Sequence, residues 1–217
     1  MSGSPSTLHS LRQLVADRFP AAARTRAGGL ATGVPGIDRA LGGGLPAGLL
    51  TELVSAAPSS GGQLIFTRAL AAARAERRRV ALVDGTDAFD PAALSADSLR
   101  HLVWVRCRQL SLALAAAEIF VRDGNFGLVA LDLRGASAAE QHRVPAAAWY
   151  RLQRAAEQGG AAILVQTTQP TVPAAAHRLI LEKSLLLSVQ TEMRAEVIAA
   201  LAPAIARQAP LREALAG

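Results

Sequence analysis

The chain has 217 residues, which is the size of one large domain or of one domain with short additions. Its composition, 51% hydrophobic and 18% charged, excludes wholesale disorder, and the single cysteine, Cys107, excludes an intramolecular disulfide and a cysteine-based zinc site. The net charge is +6, and this positive balance suits nucleic acid, an acidic partner or an ordinary arginine-rich solvated surface.

Hydrophobic spacing predicts a short amphipathic helix near the start of the chain. This helix begins at Thr7 or Ser10 and ends before Pro20. Its apolar face consists of Leu8, Leu11, Leu14 and Val15. An Ala/Arg/Gly linker follows, so residues 1–27 form an N-terminal helix and linker outside the main domain.

The main domain, residues 28–190, alternates strand and helix patterns. Apolar runs predict strands at residues 49–54, 80–84, 102–105, 127–132, 161–166 and 185–189. Helical patterns lie at residues 36–41, 60–77, 111–121 and 146–158. Continuous apolar strands separated by helices indicate an α/β fold with a mostly parallel sheet and helices on both faces. Ligands of such sheets lie at the carboxyl ends of the strands, where Asp84 and Asp132 are placed.

Residues 191–217 are interpreted as a helical tail. Their apolar residues at helical spacing are Val197, Ile198, Leu201 and Ile205, and Pro203 is expected to kink or split the helix. Two alternatives stay open for this face. It packs on the protein's own core, or it binds a partner in helix-in-groove fashion.

The strand at residues 49–54 leads into a loop that has the position of a P-loop but not its chemistry. A working loop reads Gly-x-x-x-x-Gly-Lys-[Ser/Thr], in which the lysine contacts phosphate and the hydroxyl binds magnesium. Aligned on Gly61, this chain has Ala56, Gly62 and Gln63 at the other defining positions. The only lysine in the chain, Lys183, lies far away in a Leu-rich segment. We therefore expect no nucleotide cofactor, no metal and no catalytic residues.

Several segments in order resemble the core of the bacterial RecA recombinase, over residues 28–190. Residues 32–48 resemble the stretch that precedes the P-loop strand in that family, with a Thr-Gly, an Asp-x-x-Leu-Gly and a Gly-Leu-Pro-x-Gly. Residues 59–61 match the recombinase loop up to the missing lysine, and residues 128–132 are similar to its Walker B strand. Residues 150–166 resemble the helix and strand after the first DNA-binding loop.

The departures from the recombinase pattern narrow the resemblance to a smaller, non-catalytic family. The family's water-activating glutamate falls on Thr86, and Asp132 lacks a magnesium partner at Gln63, so we expect Asp132 to cap a neighbouring turn. A RecA-like chain of this size with a degenerate P-loop is similar to the ImuA family of translesion-synthesis accessory proteins. That resemblance implies a cytoplasmic, non-catalytic protein of the DNA-damage (SOS) response. A SulA-like cell-division inhibitor and a divergent DNA-stimulated ATPase are the alternatives.

The resemblance also implies partners and the surfaces that contact them. The partners implied are RecA and translesion polymerase components, ImuB-like and DnaE-type. The apolar faces of the N-terminal helix and of the tail are the candidate partner-binding surfaces. Arg134 and Arg143, in the loop after Asp132, are the candidates for weak, nonspecific DNA contact, because this loop has no aromatic residue to stack on bases. No apolar run is long enough to span a bilayer, so no membrane contact is expected.

Overall fold

The computed structural model describes residues 5–18, 29–185 and 194–208 of the chain. Within these residues, seven strands form a single sheet. The strands are β1 (Leu50–Ser55), β2 (Arg79–Asp84), β3 (Leu102–Arg106), β4 (Phe126–Asp132), β5 (Ala162–Thr167), β6 (His177–Leu181) and β7 (Ala204–Gln208). The fold is therefore α/β, and the predicted strands at residues 49–54 to 161–166 are confirmed to within one or two residues at each end.

The sheet is parallel except at one edge. Its strand order is β3-β2-β4-β5-β1-β6-β7, and only β7 runs antiparallel to its neighbour, β6. The parallel pairs β1–β5, β4–β5 and β2–β4 bring the carboxyl ends of four neighbouring strands to one edge of the sheet. The loops that follow these strands are consequently close together, which is where such sheets bind ligands.

Helices cover both faces of the sheet, as the apolar strands predict. The helices are α1 (Pro5–Arg18), α2 (Pro35–Ala40), α3 (Gly62–Ala75), α4 (Ala96–Arg100), α5 (Leu110–Asp123), α6 (Ala138–His142), α7 (Ala146–Gly159) and α8 (Arg194–Ala200). Alternate residues of β4 contribute to two separate apolar clusters. Val129 packs with α5 and α7 on one face, and Leu128 packs with α2, α3 and α8 on the other. Such two-sided burial explains why the strands are continuously apolar.

The N-terminal helix α1 packs on α5 of the main domain. Val15 is buried in the core cluster and Leu11 packs against it, whereas Leu14 is 53% exposed. The predicted apolar face is thus divided. Part of it contacts the protein's own core, and Leu14 faces solvent.

The C-terminal segment differs from the predicted helical tail. The helix α8 ends at Ala200, and β7 follows after Pro203 and joins the sheet. Proline cannot continue a helix, and the short Ala204–Gln208 stretch instead extends the sheet along β6. The helical interpretation is therefore wrong for Ile205, which lies in β7. The rest of the tail, residues 209–217, lies outside the described residues.

Two further segments of the chain differ from the predicted strands. Strand β6 alternates buried and half-buried residues because it lies near the edge of the sheet, so it lacks the continuous apolar run used to find the other strands. The strand predicted at residues 185–189 begins at Leu185, which lies in no strand, and residues 186–189 are outside the described part of the chain.

Candidate functional site

The degenerate P-loop, residues 56–63, connects β1 to the first turn of α3 at the carboxyl edge of the sheet. Gly61 is the N-cap of α3 and has φ +92°, a conformation that favours glycine. The loop borders an open cavity of about 570 Å³, whose lining also includes Thr67, Arg134, Thr168 and Leu185. The loop therefore has the position and turn of a phosphate-binding loop.

A cation from the protein itself occupies the acidic end of this site. The Nε of Arg134 donates to Asp132 Oδ1 at 2.9 Å, and its Nη2 donates to Asp132 Oδ2 at 2.6 Å. The same Nη2 donates to Gln63 Oε1 at 2.9 Å. Asp132 is 3% exposed and Arg134 is 20% exposed, so solvent screens this ion pair weakly. The guanidinium joins the position of the missing hydroxyl, Gln63, to the acid that ends β4.

This network changes the interpretation of Arg134 and Asp132. Asp132 accepts a hydrogen bond from the backbone N–H of Arg134 at 3.1 Å, which agrees with the turn-capping role expected for it. Arg134 was predicted as a DNA contact, but its guanidinium is bound to Asp132 and Gln63. Arg134 lies in the turn that follows β4, only two residues after Asp132, and this short separation of opposite charges was the signal in the sequence.

The position of the missing lysine is closely surrounded. A Cβ on Gly62 would lie 2.5 Å from Ser55 Oγ and 3.5 Å from Gln166 Oε1. Both of these atoms are buried and have no hydrogen-bond partner in the described part of the chain. Arg134 Nη1 lies 3.8 Å from the same point. Glycine at residue 62 thus leaves room for polar groups that a longer side chain would displace.

Two leucines cover the loop from the outside. The backbone N–H of Leu185 donates to the Ser59 carbonyl at 3.1 Å, which holds the segment after β6 against the loop. A Cβ on Gly61 would lie 2.9 Å from Leu201 Cδ2 and 3.6 Å from Leu185 Cδ1. Apolar side chains therefore lie beside Gly61 at one side of the open cavity, and they supply no hydrogen bonds or charge to an anion.

The position of the missing catalytic glutamate belongs to a structural turn. Asp84, at the end of β2, is fully buried and accepts hydrogen bonds from the amides of Thr86, Ala88 and Phe89 at 3.3, 3.0 and 3.2 Å. The Oγ1 of Thr86 accepts from the amide of Gly135 at 3.3 Å, which joins this turn to the loop after β4. A hydroxyl used in this way does not activate water.

The side chain of Cys107 lies beyond β3, partly buried against the core cluster. Burial, together with the nearby charge of Asp84, raises the pKa of its thiol. A thiol with a raised pKa is a poor nucleophile. Cys107 borders a second cavity of about 550 Å³ at the ends of β2 and β3, where Arg106 and Arg108 lie beside Asp87 and Glu140.

The loop after β5 is fixed by a buried carboxylate. Glu52 in β1 is fully buried, and its Oε1 accepts from the amides of Thr171 and Val172 at 2.8 and 3.1 Å. Its Oε2 accepts from Arg178 Nε at 2.6 Å. The whole carboxylate is therefore used to hold this loop and β6 on β1. No pattern in the sequence indicated this network, because Glu52 lies within an apolar strand.

The stretch before the P-loop strand is held by a single aspartate. Asp38 accepts from the backbone N–H and the hydroxyl of Thr32, both at 2.7 Å, and from the amide of Gly33 at 3.1 Å. Gly33 also accepts a hydrogen bond from Arg68 of α3 through its carbonyl oxygen, at 3.4 Å. The Thr-Gly and Asp of this stretch thus form one turn packed on α3.

Arg143 is the second predicted DNA contact. It ends α6, a short helix whose N-terminus has a capping box formed by Ser137 and Glu140. Its side chain is exposed and forms no ion pair with any described residue, so this position remains compatible with contact to an anionic partner.

Half of the predicted partner-binding residues lie in the core. Val197, Ile198 and Leu201 are between 5% and 7% exposed, and the latter two belong to the cluster that contains α2 and α3. Val15 is 2% exposed, and Leu8 and Leu11 are half-buried. The exposed members of the predicted set are Leu14 and Ile205. For α8, the alternative in which the apolar face packs on the protein's own core is the one observed.

No protein-family model matches this chain, and no curated protein is significantly similar to it. No helix in residues 5–18, 29–185 or 194–208 is long and apolar enough to cross a bilayer. The same residues contain no group of three or more His, Cys, Asp or Glu side chains arranged to hold a metal ion.

Proposed function

We propose that this protein is a non-catalytic RecA-like accessory protein of the bacterial DNA-damage response. In this role it supports translesion synthesis in the cytoplasm by binding RecA and translesion polymerase components of the ImuB-like and DnaE types. The observation that carries the proposal is the internal ion pair at the end of β4. Arg134 takes both carboxylate oxygens of Asp132, and Leu201 lies against Gly61.

Physical reasons link this arrangement to a loss of ATP chemistry. Magnesium binding needs carboxylate and hydroxyl oxygens that are free to coordinate, and here Asp132 is already neutralised by an internal cation. Phosphate binding also needs a lysine, and here the loop has Gly62 at that position and apolar side chains beside Gly61. A fold that keeps its loop and strands but neutralises the acid at the end of β4 retains its shape, which is what a binding protein uses.

The RecA-like assignment is supported by the position of the matching segments. The Thr32–Asp38 turn, the P-loop turn at Gly61 and the acid that ends β4 all contribute to the carboxyl edge of one parallel sheet or pack beside it. Segments that resemble one family in order along the chain therefore also fit together in space.

Binding measurements on the purified full chain test this proposal. We expect calorimetry to show no micromolar, magnesium-dependent affinity for ATP, and biolayer interferometry to show direct binding to RecA. Magnesium-dependent ATP binding with turnover stimulated by DNA would favour the divergent ATPase instead. Filamentous cells on expression, without RecA binding, would favour the SulA-like inhibitor.

A further inference from the structure

The proposed function needs a surface that partners can reach, and the core uses half of the residues predicted for that purpose. Among the described residues, the exposed large hydrophobic side chains are Leu14, Tyr150 and Ile205, at 53%, 53% and 46% exposed. Tyr150 is the only aromatic residue in this set. Tyrosine and arginine are the residues most enriched at the energetic centres of protein interfaces, whereas leucine is under-represented there.

Tyr150 lies on the outer face of α7, with its ring open to solvent. The opposite face of the same helix is buried through Trp149 and Leu152, which fixes the rotation of the helix on the sheet. Helical side chains lean toward the preceding turn, so the ring of Tyr150 extends over Ala146 and Ala147. Both alanines are exposed and carry only a methyl group. The ring therefore has no long neighbour on that side.

Positive charge lies beside the ring. Arg154 follows Tyr150 by four residues on the same helix, so its side chain lies one turn away on the same face. It is exposed and forms no ion pair with any described residue. Arg151, by contrast, donates from Nε to Glu118 Oε2 at 2.7 Å and is turned toward α5. Arg143 adds a second unpaired cation just before α7 begins.

We propose that the outer face of α7, formed by Ala147, Tyr150 and Arg154, is a docking surface for a protein partner with an acidic surface. The partner's matching surface would have an apolar socket for the ring of Tyr150, bordered by carboxylates that pair with Arg154. The proposal rests on the proposed function, since it locates where that partner binds. The docking surface is supported by charge complementarity between Arg154 and an acidic partner and by the exposed ring of Tyr150.

A single strand of nucleic acid fits this surface less well. Proteins that bind single strands stack successive bases on several aromatic residues along a groove. Here one aromatic residue lies on a convex helix, and the acidic Glu157 lies within a turn of Arg154. One ring with a single arginine one turn away suits a compact socket on a protein better than an extended polyanion.

The test compares matched variants of the full chain by biolayer interferometry. The probes are RecA filaments on single-stranded DNA, the ImuB-like and DnaE-type components, and the same DNA alone. Tyr150→Ala and Arg154→Glu should each weaken binding to a protein probe by about tenfold or more, and Tyr150→Phe should bind as the wild type does. Arg39→Glu, an exposed arginine on the opposite face of the sheet, is the matched control and should bind within about twofold of the wild type.

Each of the other outcomes contradicts the α7 surface, the protein partner or the proposed function. Wild-type binding that Tyr150→Ala and Arg154→Glu leave unchanged, with thermal unfolding showing both variants folded, overturns the α7 surface and leaves the proposed function standing. Variants that lose only DNA binding overturn the protein partner in favour of nucleic acid. A wild-type chain that binds none of the protein probes overturns the proposed function and the surface together.

Discussion

Arg134 and Asp132 form a two-point ion pair across the end of strand β4, with N–O distances of 2.9 and 2.6 Å. Two parallel hydrogen bonds between a guanidinium and a carboxylate fix both groups in direction as well as in distance. A divalent cation at Asp132 would have to displace a cation that is covalently part of the loop. The chain thus carries its own counterion at the acid where an ATPase would use magnesium.

Arg134→Ala should lower the free energy of unfolding by about 3 kcal/mol, because it leaves the buried carboxylate of Asp132 without a charged partner. Replacing both members of the pair, Asp132→Asn with Arg134→Met, should recover most of this loss, since no charge then remains buried. Urea unfolding of the two variants and the wild type measures the difference. Arg143→Ala is the control, with an expected change within about 0.5 kcal/mol. An equal effect of the two arginine substitutions would show that the ion pair contributes nothing to stability.

Restoring the loop sequence alone should not restore nucleotide binding. Gly62→Lys with Gln63→Thr supplies the two missing side chains, but Leu201 still covers Gly61 and Arg134 still holds Asp132. Thr86 still lacks a carboxylate for catalysis. We expect calorimetry to detect no magnesium-dependent ATP binding by this variant and a coupled assay to detect no turnover. Micromolar ATP affinity would mean that the internal contacts are too weak to close the site.

Leu201→Asp should destabilise the folded protein, because Leu201 is 5% exposed in the cluster formed with α2 and α3. The loss of apolar burial together with a buried charge should lower the free energy of unfolding by about 3 kcal/mol or more. Ile205→Asp, at an exposed position of β7, is the matched control and should change it by about 0.5 kcal/mol. Thermal unfolding distinguishes the two. A Leu201→Asp variant with a wild-type melting temperature would contradict the packing of α8 on the core.

The parallel part of the sheet could be predicted because its strands are buried on both faces. Val80 to Asp84 and Leu128 to Asp132 read as uninterrupted apolar runs, each ended by an acid. Strand β6, next to the edge strand β7, has no such pattern, since it begins with the polar residues His177 and Arg178. The apolar spacing around Val197 continued past Pro203 in the sequence, whereas the backbone changes there from helix to strand.

The functional groups that the candidate site lacks could be predicted from the sequence. The contacts that replace them could not. The absent lysine and hydroxyl are visible at Gly62 and Gln63. The contact between Arg134 and Gln63 joins residues 71 positions apart, which no local pattern could reveal. The contact of Leu201 with Gly61 likewise depends on how α8 returns to the sheet.

Acidification should destabilise the protein through His177. This side chain is 1% exposed, its Nδ1 has no hydrogen-bond partner among the described residues, and burial lowers its pKa below 6.5. In the unfolded chain the histidine takes up a proton near pH ~6.5, while in the folded protein it stays neutral, so stability falls as the pH drops below that value. Urea midpoints between about pH 7.5 and about pH 5.5 should show this slope.

His177→Phe should remove this contribution, because phenylalanine does not titrate. Carboxylates whose pKa is lowered also lose stabilising charge on acidification, but lower in the pH range. The pKa of Glu118 is one example. Burial would raise it, and the hydrogen bonds from Arg151 and Arg122 outweigh burial, so its contribution is lost only below about pH 4.5. An unchanged slope in His177→Phe would assign the pH dependence to other groups.

The attachment of the loop after β5 to Glu52 also has a consequence for motion. The amides of Thr171 and Val172 belong to a loop but donate to a carboxylate that is fully buried in the middle of the sheet. Their hydrogens can exchange with solvent only when β1 itself opens. In deuterium exchange this loop should therefore behave on the timescale of the central strands. A loop held in that way cannot open and close over a ligand at each turnover. It therefore does not have the mobility of an active-site lid.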